Sequence, residues 1–415
     1  MSPLIKSGRR QPRTAPGPLL AFLQQQESNM GHHTTDLSTV RRPIEQANGL
    51  PNAHYIDADV FAEERQAVLF DNWAGLGVTA DVPDIGDAVP VTFLGMPLLI
   101  VRDKQGEVRV FQNTCRHRGM ILVDAPRKIE GAIRCPYHSW CYSTDGRLVS
   151  TPHVGGPGQN THAGLDRALL GLIEIRSHIW MDVIFVNVSG QAAPFERANA
   201  DLLARWTEFD QPLFYGGADS RFQLSVNCNW KLAVENYCES YHLPWVHPGL
   251  NSYSRLEDHY HIEEPGRFSG QGTLVYRQLV GEDGRSFPDF AAISGKWDTA
   301  AQYITAYPNV LLGVHRDHSF AIVLLPEGPE KTVEHVHLYY AQPDTDADLR
   351  ARNTAQWKEV FAEDVFVVEG MQRGRHAPTF DGGRFSPAMD GPTHLFHDWV
   401  AAQMERHRAP ARAAE

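Results

Sequence analysis

The chain has 415 residues, 42% of them apolar, and 38 basic against 50 acidic side chains leave a formal charge of −12. That composition excludes a mainly disordered or fibrous chain, allows two or three domains whose core needs no disulfide staples, and argues against general nucleic-acid binding. Five cysteines are too few for a disulfide scaffold, which points to a reducing, cytoplasmic setting, and no apolar run approaches the roughly 20 residues of a membrane span.

Residues 1–29 hold Lys6, Arg9, Arg10 and Arg13 against one acid, Glu27, with several prolines. A transit peptide fits that composition, but the favoured reading is a loose tail or a start codon placed too early, with Met30 the true first residue. The flexible N-terminal segment is expected to run over 1–49, because 31–52 stay polar and are broken by Pro43, Gly49 and Pro51. A helical part follows over 50–83. Asp57 or Asp59 can cap a helix whose apolar positions include Val60, Phe61, Val68, Leu69 and Trp73.

From Asp84 the texture turns to short β-rich runs at 88–93, 97–102 and 108–112, parted by turn signals at 85–87 and 104–106. It continues through 132–135, 139–143 and 179–188, and predicts a small all-β domain over 84–188. The rest, 189–405, reads as helical at 195–209, a strand at 222–229 and a helix at 230–242. Strands follow at 272–279, 310–315, 320–325 and 333–340, and then a long helix at 346–372. The expected fold class is α+β: a small all-β domain plus a larger domain whose antiparallel sheet packs on a long C-terminal helix. Residues 406–415 form an Ala/Arg-rich tail.

Two constellations carry chemistry. In the first, Cys115 and His117 stand as C-x-H and Cys135 and His138 as C-x2-H, with 17 residues between His117 and Cys135. Two loops that each present a thiolate and an imidazole can hold two metal ions or one cluster. Zinc is the first alternative, since a Cys2His2 set is one of its structural sites. The flanking Gly119, Pro136 and Trp140 lie in a β context, however, and not beside a zinc-finger helix. In these residues the chain resembles a Rieske domain. The resemblance implies a [2Fe–2S] cluster with two Cys on one iron and two His on the other.

The second constellation spans 229–248. Trp230, Val234, Tyr237 and Tyr241 share one helical face, and Glu235, Glu239 and His242 share another. Pro244 is expected to end the helix, so His247 comes from the following loop. Two His and a remote carboxylate can make a mononuclear iron site with open positions. By itself the pattern is weak, because His259/His261, His315/His318 and His335/His337 also offer pairs.

A Rieske domain followed by Glu-Asn-x-x-Glu-x-x-His-x4-His resembles the α (catalytic) subunit of Rieske non-haem iron oxygenases, from about residue 50 to the last long helix. The resemblance implies His242 and His247 as iron ligands, with Asp364 as the third and Glu363 its adjacent rival. Asn236 matches the family's Asn near the iron. Glu239 takes the place of the carboxylate that bridges the two iron centres; Glu instead of the usual Asp is similar to the carnitine and betaine branch. It also implies one [2Fe–2S] cluster and one mononuclear Fe(II) per subunit, O2 as co-substrate, a small-molecule substrate and a homotrimer. Electrons would come from a separate NAD(P)H-dependent flavin/iron–sulfur reductase, since this chain has no G-x-G-x-x-G fingerprint. The implied reaction is N-demethylation or hydroxylation of a quaternary ammonium compound, with Tyr237, Tyr241, Trp245 and Tyr307 as candidate cation–π faces, each of which also reads as core. The alternatives are an aromatic ring-hydroxylating dioxygenase or aryl O-demethylase, and, in another class, a Rieske electron carrier without an oxygenase site.

Overall fold

Short apolar runs between turn residues form a seven-stranded antiparallel sheet in the first half of the chain. Its order is Ala74–Val78, Val183–Asn187, Glu174–Trp180, Val108–Gln112, Met96–Arg102, Asp87–Phe93 and Arg127–Lys128. The computed structural model describes residues 36–264 and 266–409; the expectations for 1–35 and for the end of the tail lie outside them. A three-stranded sheet, Ile133–Arg134, Cys141–Tyr142 and Leu148–Ser150, packs nearby. Leu99, Val101, Phe111, Ile133, Trp140 and Tyr142 fill a core that also encloses Cys115 and Cys135. The strand Ala74–Val78 belongs to this sheet, although its stretch reads as helical in the sequence. Two glycines lower its helix propensity, and its partner strand lies more than a hundred residues away.

The second half builds an eight-stranded antiparallel sheet around Lys331–Tyr340, His318–Gly328, Val310–Val314, Ala301–Ala306 and Phe268–Thr273. Three helices cover it: α1 (Trp230–Cys238), α2 (Ala347–Gly374) and α3 (Gly391–Arg408). The 28-residue α2 starts where Asp346 accepts from the Leu349 amide. It buries Leu349, Asn353, Trp357, Phe361 and Val368, steps of four and then seven residues that lay one face on the sheet.

Two expectations need correction. Residues 36–49 are not a loose arm: Leu37, Val40 and Ala47 are buried, Arg41 pairs with Asp398 and Glu405 of α3, and the Leu50 amide donates to His397 Nδ1. Gly49 passes so close to Gly382 that a Cβ would collide with its carbonyl. At the other end α3 runs through Arg408, whose guanidinium pairs with Glu63, so the tail starts later than 406.

A buried ionic knot ties α1 to the N-terminal helices. Lys231 Nζ donates to Glu64 at 2.7 Å, to the His54 carbonyl and to Asn229, while the His54 ring meets Glu64 at 2.6 Å. Both Lys231 and Glu64 are fully buried. Replacing one member strands the other charge in the core. Lys231→Met is therefore expected to cost about 3–5 kcal/mol, read as a lowered urea midpoint; an unchanged midpoint would show that Glu64 finds another partner.

Candidate metal centres

Two loops of like geometry present the first set. The Gly119 amide donates to the Cys115 carbonyl, and the Ser139 amide to the Cys135 carbonyl, closing the same turn twice. Each turn ends at a positive φ, +73° at Gly119 and +56° at Ser139. Cys115 and Cys135 are buried, and the rings of His117 and His138 meet edge to face at 4.8 Å. Burial, His138 and Arg118 together lower the His117 pKa, which favours the neutral ring a metal needs. His138 Nδ1 is buried without a hydrogen-bond partner. No three donors of this set converge within the 4.8 Å that marks the second site. That spread fits a two-iron cluster better than a single tetrahedral zinc.

Tyr142 lies under the set. Its oxygen accepts from the Arg116 amide at 2.9 Å and stands 3.3 Å from Cys115 Sγ, so its own proton is free to reach a thiolate sulfur. Hydrogen bonds to cluster sulfurs stabilise the more negative, reduced state. Tyr142→Phe is expected to lower the cluster's midpoint potential by roughly 40 mV, the one-electron equivalent of about 1 kcal/mol. Redox titration monitored by visible CD checks it, and an unshifted potential would exclude the bond.

The second set sits where α1 ends. Asn229 caps the start of α1 by accepting from the Lys231 amide. The helix stops at Cys238, and Glu239 is already extended at φ −123° and ψ 162°. The expectation of one helix through His242 is thus wrong. The Glu239 carboxylate accepts from the Tyr241 and His242 amides, which turns the chain. Pro244 then lies in the first turn of a new short helix, Leu243–Val246, where its missing N–H costs nothing.

This turn sets the chemistry. Glu239 Oε1 holds His242 Nδ1 at 2.6 Å, and Glu363 Oε2, from α2, holds His247 Nδ1 at 2.8 Å. Both rings are left presenting Nε2 to Asp364 Oδ1, at 3.6 Å from His242 and 3.0 Å from His247. The approach is off-line for a hydrogen bond, so the buried Asp364 Oδ1 has no donor. One atom from each of His242, His247 and Asp364 falls within 4.8 Å of the others, the one such group among the described residues. Burial opposes a charged His247 ring, but Asp364 and then Glu363 outweigh it and raise its pKa. Two imidazoles held from behind by carboxylates, with a third carboxylate in front, form a donor set suited to Fe(II). Adjacent residues of α2 thus point two ways: Asp364 faces both Nε2 atoms, and its rival Glu363 orients His247. Nothing in the sequence separates those two tasks.

Asn236 lines a cavity shared with Asp364, Tyr237, Phe361 and Glu334. Burial and the nearby Asp364 push the Glu334 pKa up to about 8. In each of the other histidine pairs one ring is engaged elsewhere: His259 with Gln271 and Ser254, His335 with Gln223, and His318 with Asp317 and Trp357. The expected aromatic faces do not converge on a pocket. Trp245 is 71% exposed and Tyr241 42% exposed, and buried Tyr307 packs on Phe396 and Trp399. A second cavity runs along α2 from Asn353 through Trp357 to Val360, one turn before Asp364, and opens into an outer cleft that reaches Glu363.

Two family models match this chain: the Rieske [2Fe-2S] domain over residues 72–163 and the ring hydroxylating alpha subunit (catalytic domain) over 216–406. Among curated proteins it is similar to the chloroplastic choline monooxygenase of Arabidopsis thaliana, 27% identical over 86% of this chain and 82% of that protein. It is likewise similar to the carnitine monooxygenase oxygenase subunit of Escherichia coli K12, 26% identical over 81% and 87%. Among solved structures, a quaternary ammonium Rieske monooxygenase in complex with L-carnitine superposes with a TM-score of 0.71 at 21% identity, over 90% of this chain and 99% of that one. Naphthalene 1,2-dioxygenase from Rhodococcus gives 0.68 at 19%, over 87% and 95%.

Proposed function

The chain belongs to the α subunits of the Rieske non-haem iron oxygenases, and on that premise we propose that it oxidises an N-methyl group of a quaternary ammonium compound. It is an O2-dependent oxygenase with one Rieske [2Fe–2S] cluster and one mononuclear iron per subunit. When bound, the cluster supplies electrons singly and the iron supplies the site where O2 is reduced.

The chain's own residues divide the work. Cys115 and Cys135 hold one iron of the cluster, and His117 and His138 the other. His242, His247 and Asp364 hold the mononuclear iron. Glu239 and Glu363 fix the ring orientation and tautomer that aim both Nε2 atoms at one point, and Asn236 stands beside it. That shared aim is the observation on which the oxygenase site rests. The substrate class rests on the likeness to choline, carnitine and glycine betaine monooxygenases.

The balance is that of a monooxygenase. One oxygen atom enters a methyl C–H bond and the other leaves as water, with two electrons and two protons supplied from outside. Where the resulting carbinolamine collapses, it releases a tertiary amine, formaldehyde and a proton. The electrons come from an NAD(P)H-dependent flavin/iron–sulfur reductase, and the working form is a homotrimer whose Glu239 meets His138 of the partner subunit. A cytoplasmic location completes the proposal; all five cysteines are free and buried. Among the described residues no helix is long and apolar enough to cross a membrane.

The test is O2 uptake with NADH and a surrogate reductase over choline, carnitine, glycine betaine and a panel of aromatic acids. Oxidation of a quaternary ammonium, with formaldehyde released or a hydroxylated product retained, supports the proposal. Uptake coupled only to the aromatic acids would overturn it in favour of ring hydroxylation or aryl O-demethylation.

A further inference from the structure

The strand Phe268–Thr273 reads Phe-Ser-Gly-Gln-Gly-Thr. Side chains alternate across a strand, so Ser269, Gln271 and Thr273 share one face, and the glycines put no side chain on the other. All three polar groups reach the segment that carries His242 and His247. Ser269 Oγ meets Cys238 Sγ at 3.4 Å, just before that segment. Gln271 Nε2 donates to the Glu239 carbonyl at 2.9 Å, at its start. Thr273 Oγ1 meets Ser254 Oγ at 2.8 Å, at its end.

The direction of each bond is set by its neighbours. A carbonyl only accepts, so the Gln271 NH2 faces Glu239 and Gln271 Oε1 faces away. That oxygen lies 2.8 Å from Nδ1 of His259, on the adjacent strand His259–Ile262, and His259 must donate to it. Burial holds the His259 pKa down, so the ring is neutral and its Nε2 accepts from the Ser254 hydroxyl at 3.0 Å. One chain of bonds thus runs from Glu239 through Gln271 and His259 to Ser254, and closes the two ends of the ligand segment on one sheet. Ser269 anchors the near end further: it donates to the Pro392 carbonyl at 2.8 Å and accepts from Tyr307 at 2.6 Å. Glu239 lies just past the end of α1, in extended backbone, so its main chain depends on this side-chain bond.

We propose that Gln271 is a positioning residue for the iron site: by holding the Glu239 main chain it sets where the Glu239 carboxylate grips His242 Nδ1, and so where His242 Nε2 points. His259 acts one bond further out, by fixing the orientation of the Gln271 amide. The inference rests on the reading of His242, His247 and Asp364 as iron ligands.

The test uses the full chain with its cluster loaded and the mononuclear site emptied, and needs no substrate. Fe(II) titration gives the affinity, and the electron paramagnetic resonance spectrum of the nitric oxide adduct reports the symmetry of the ligand set. Gln271→Met is expected to weaken Fe(II) binding by about tenfold and to alter that spectrum, while the cluster's visible CD is kept. His259→Phe should weaken it in the same direction, and His259→Asn, which retains an N–H for Gln271, should restore most of the loss. A role in folding alone would lower the urea midpoint of Gln271→Met and leave affinity and spectrum as in the wild type; that result overturns the proposal. If Gln271→Met does not fold, the His259 pair decides, and equal iron affinity in the Phe and Asn variants overturns it. His242→Ala separates the two readings. Tight iron binding in His242→Ala refutes the ligand assignment itself, whereas its loss there beside wild-type binding in Gln271→Met refutes only the role of Gln271.

Discussion

His242→Ala is expected to lose the mononuclear iron and all turnover while keeping the Rieske absorption and visible CD; Cys135→Ser should do the reverse to the spectrum. The two sets share no ligand. Cys135 sits between strands of the small sheet, inside the core of the first domain, whereas His242 follows α1 and faces Asp364 on α2. Removing His242 leaves His247 and Asp364, two ligands held by a separate loop and helix, too few to retain Fe(II) in the geometry of a facial triad. Activity should fall to background, because no other group of donors among the described residues converges within 4.8 Å. Iron analysis beside CD reads both sites in one sample. A bleached cluster in His242→Ala would mean that the two centres fold as one unit.

How much of this could be read in the sequence depends on how local each feature is. The four Rieske ligands, His242 and His247 lie in short motifs, and Asp364 was found from a stretch of one helix. Most of the antiparallel sheet is legible from its short apolar runs and long α2 from a stretch with few breakers, but the strand expected at 272–279 lies at Phe268–Thr273. The end of α1 was not, because a side chain decides it. Glu239 folds back onto the Tyr241 and His242 amides, and helical periodicity carries no mark of that. The strands His259–Ile262 and Ala301–Ala306 are not legible because each alternates weakly, although both pair with the next strand in the chain, and α3 is not because what it packs against lies more than a hundred residues away. The cavity is the least local feature. Tyr241 and Trp245 lie close to Tyr237 in the sequence, yet both face solvent. The aromatics that line the cavity come from a turn (Tyr253), an irregular stretch (Tyr276), a strand (Tyr303) and α2 (Trp357).

The second large effect is expected at Glu239. In Glu239→Gln both metal sites should stay loaded, yet the reduced cluster should fail to pass its electron on, and turnover should fall by orders of magnitude. As a carboxylate, Glu239 uses Oε1 for His242 Nδ1 and Oε2 for two backbone amides. Its side chain is only partly covered, so an oxygen can accept a further N–H from His138 of the partner subunit in the proposed trimer. A carboxylate accepts at both ends; an amide accepts at one and donates at the other. With Gln, the amide oxygen can keep His242 oriented, which preserves the iron, but its NH2 then meets donors: the backbone amides on one side and the incoming imidazole on the other. One N–H must oppose another, and the bridge between the centres opens. Rapid mixing of the pre-reduced protein with substrate and O2 reads this step directly, as the rate at which the cluster reoxidises. Loss of iron in Glu239→Gln would assign Glu239 to holding His242 alone. Near-normal reoxidation with both centres loaded would remove Glu239 from the electron path, and the crossing between subunits would then have to run through another pair of side chains.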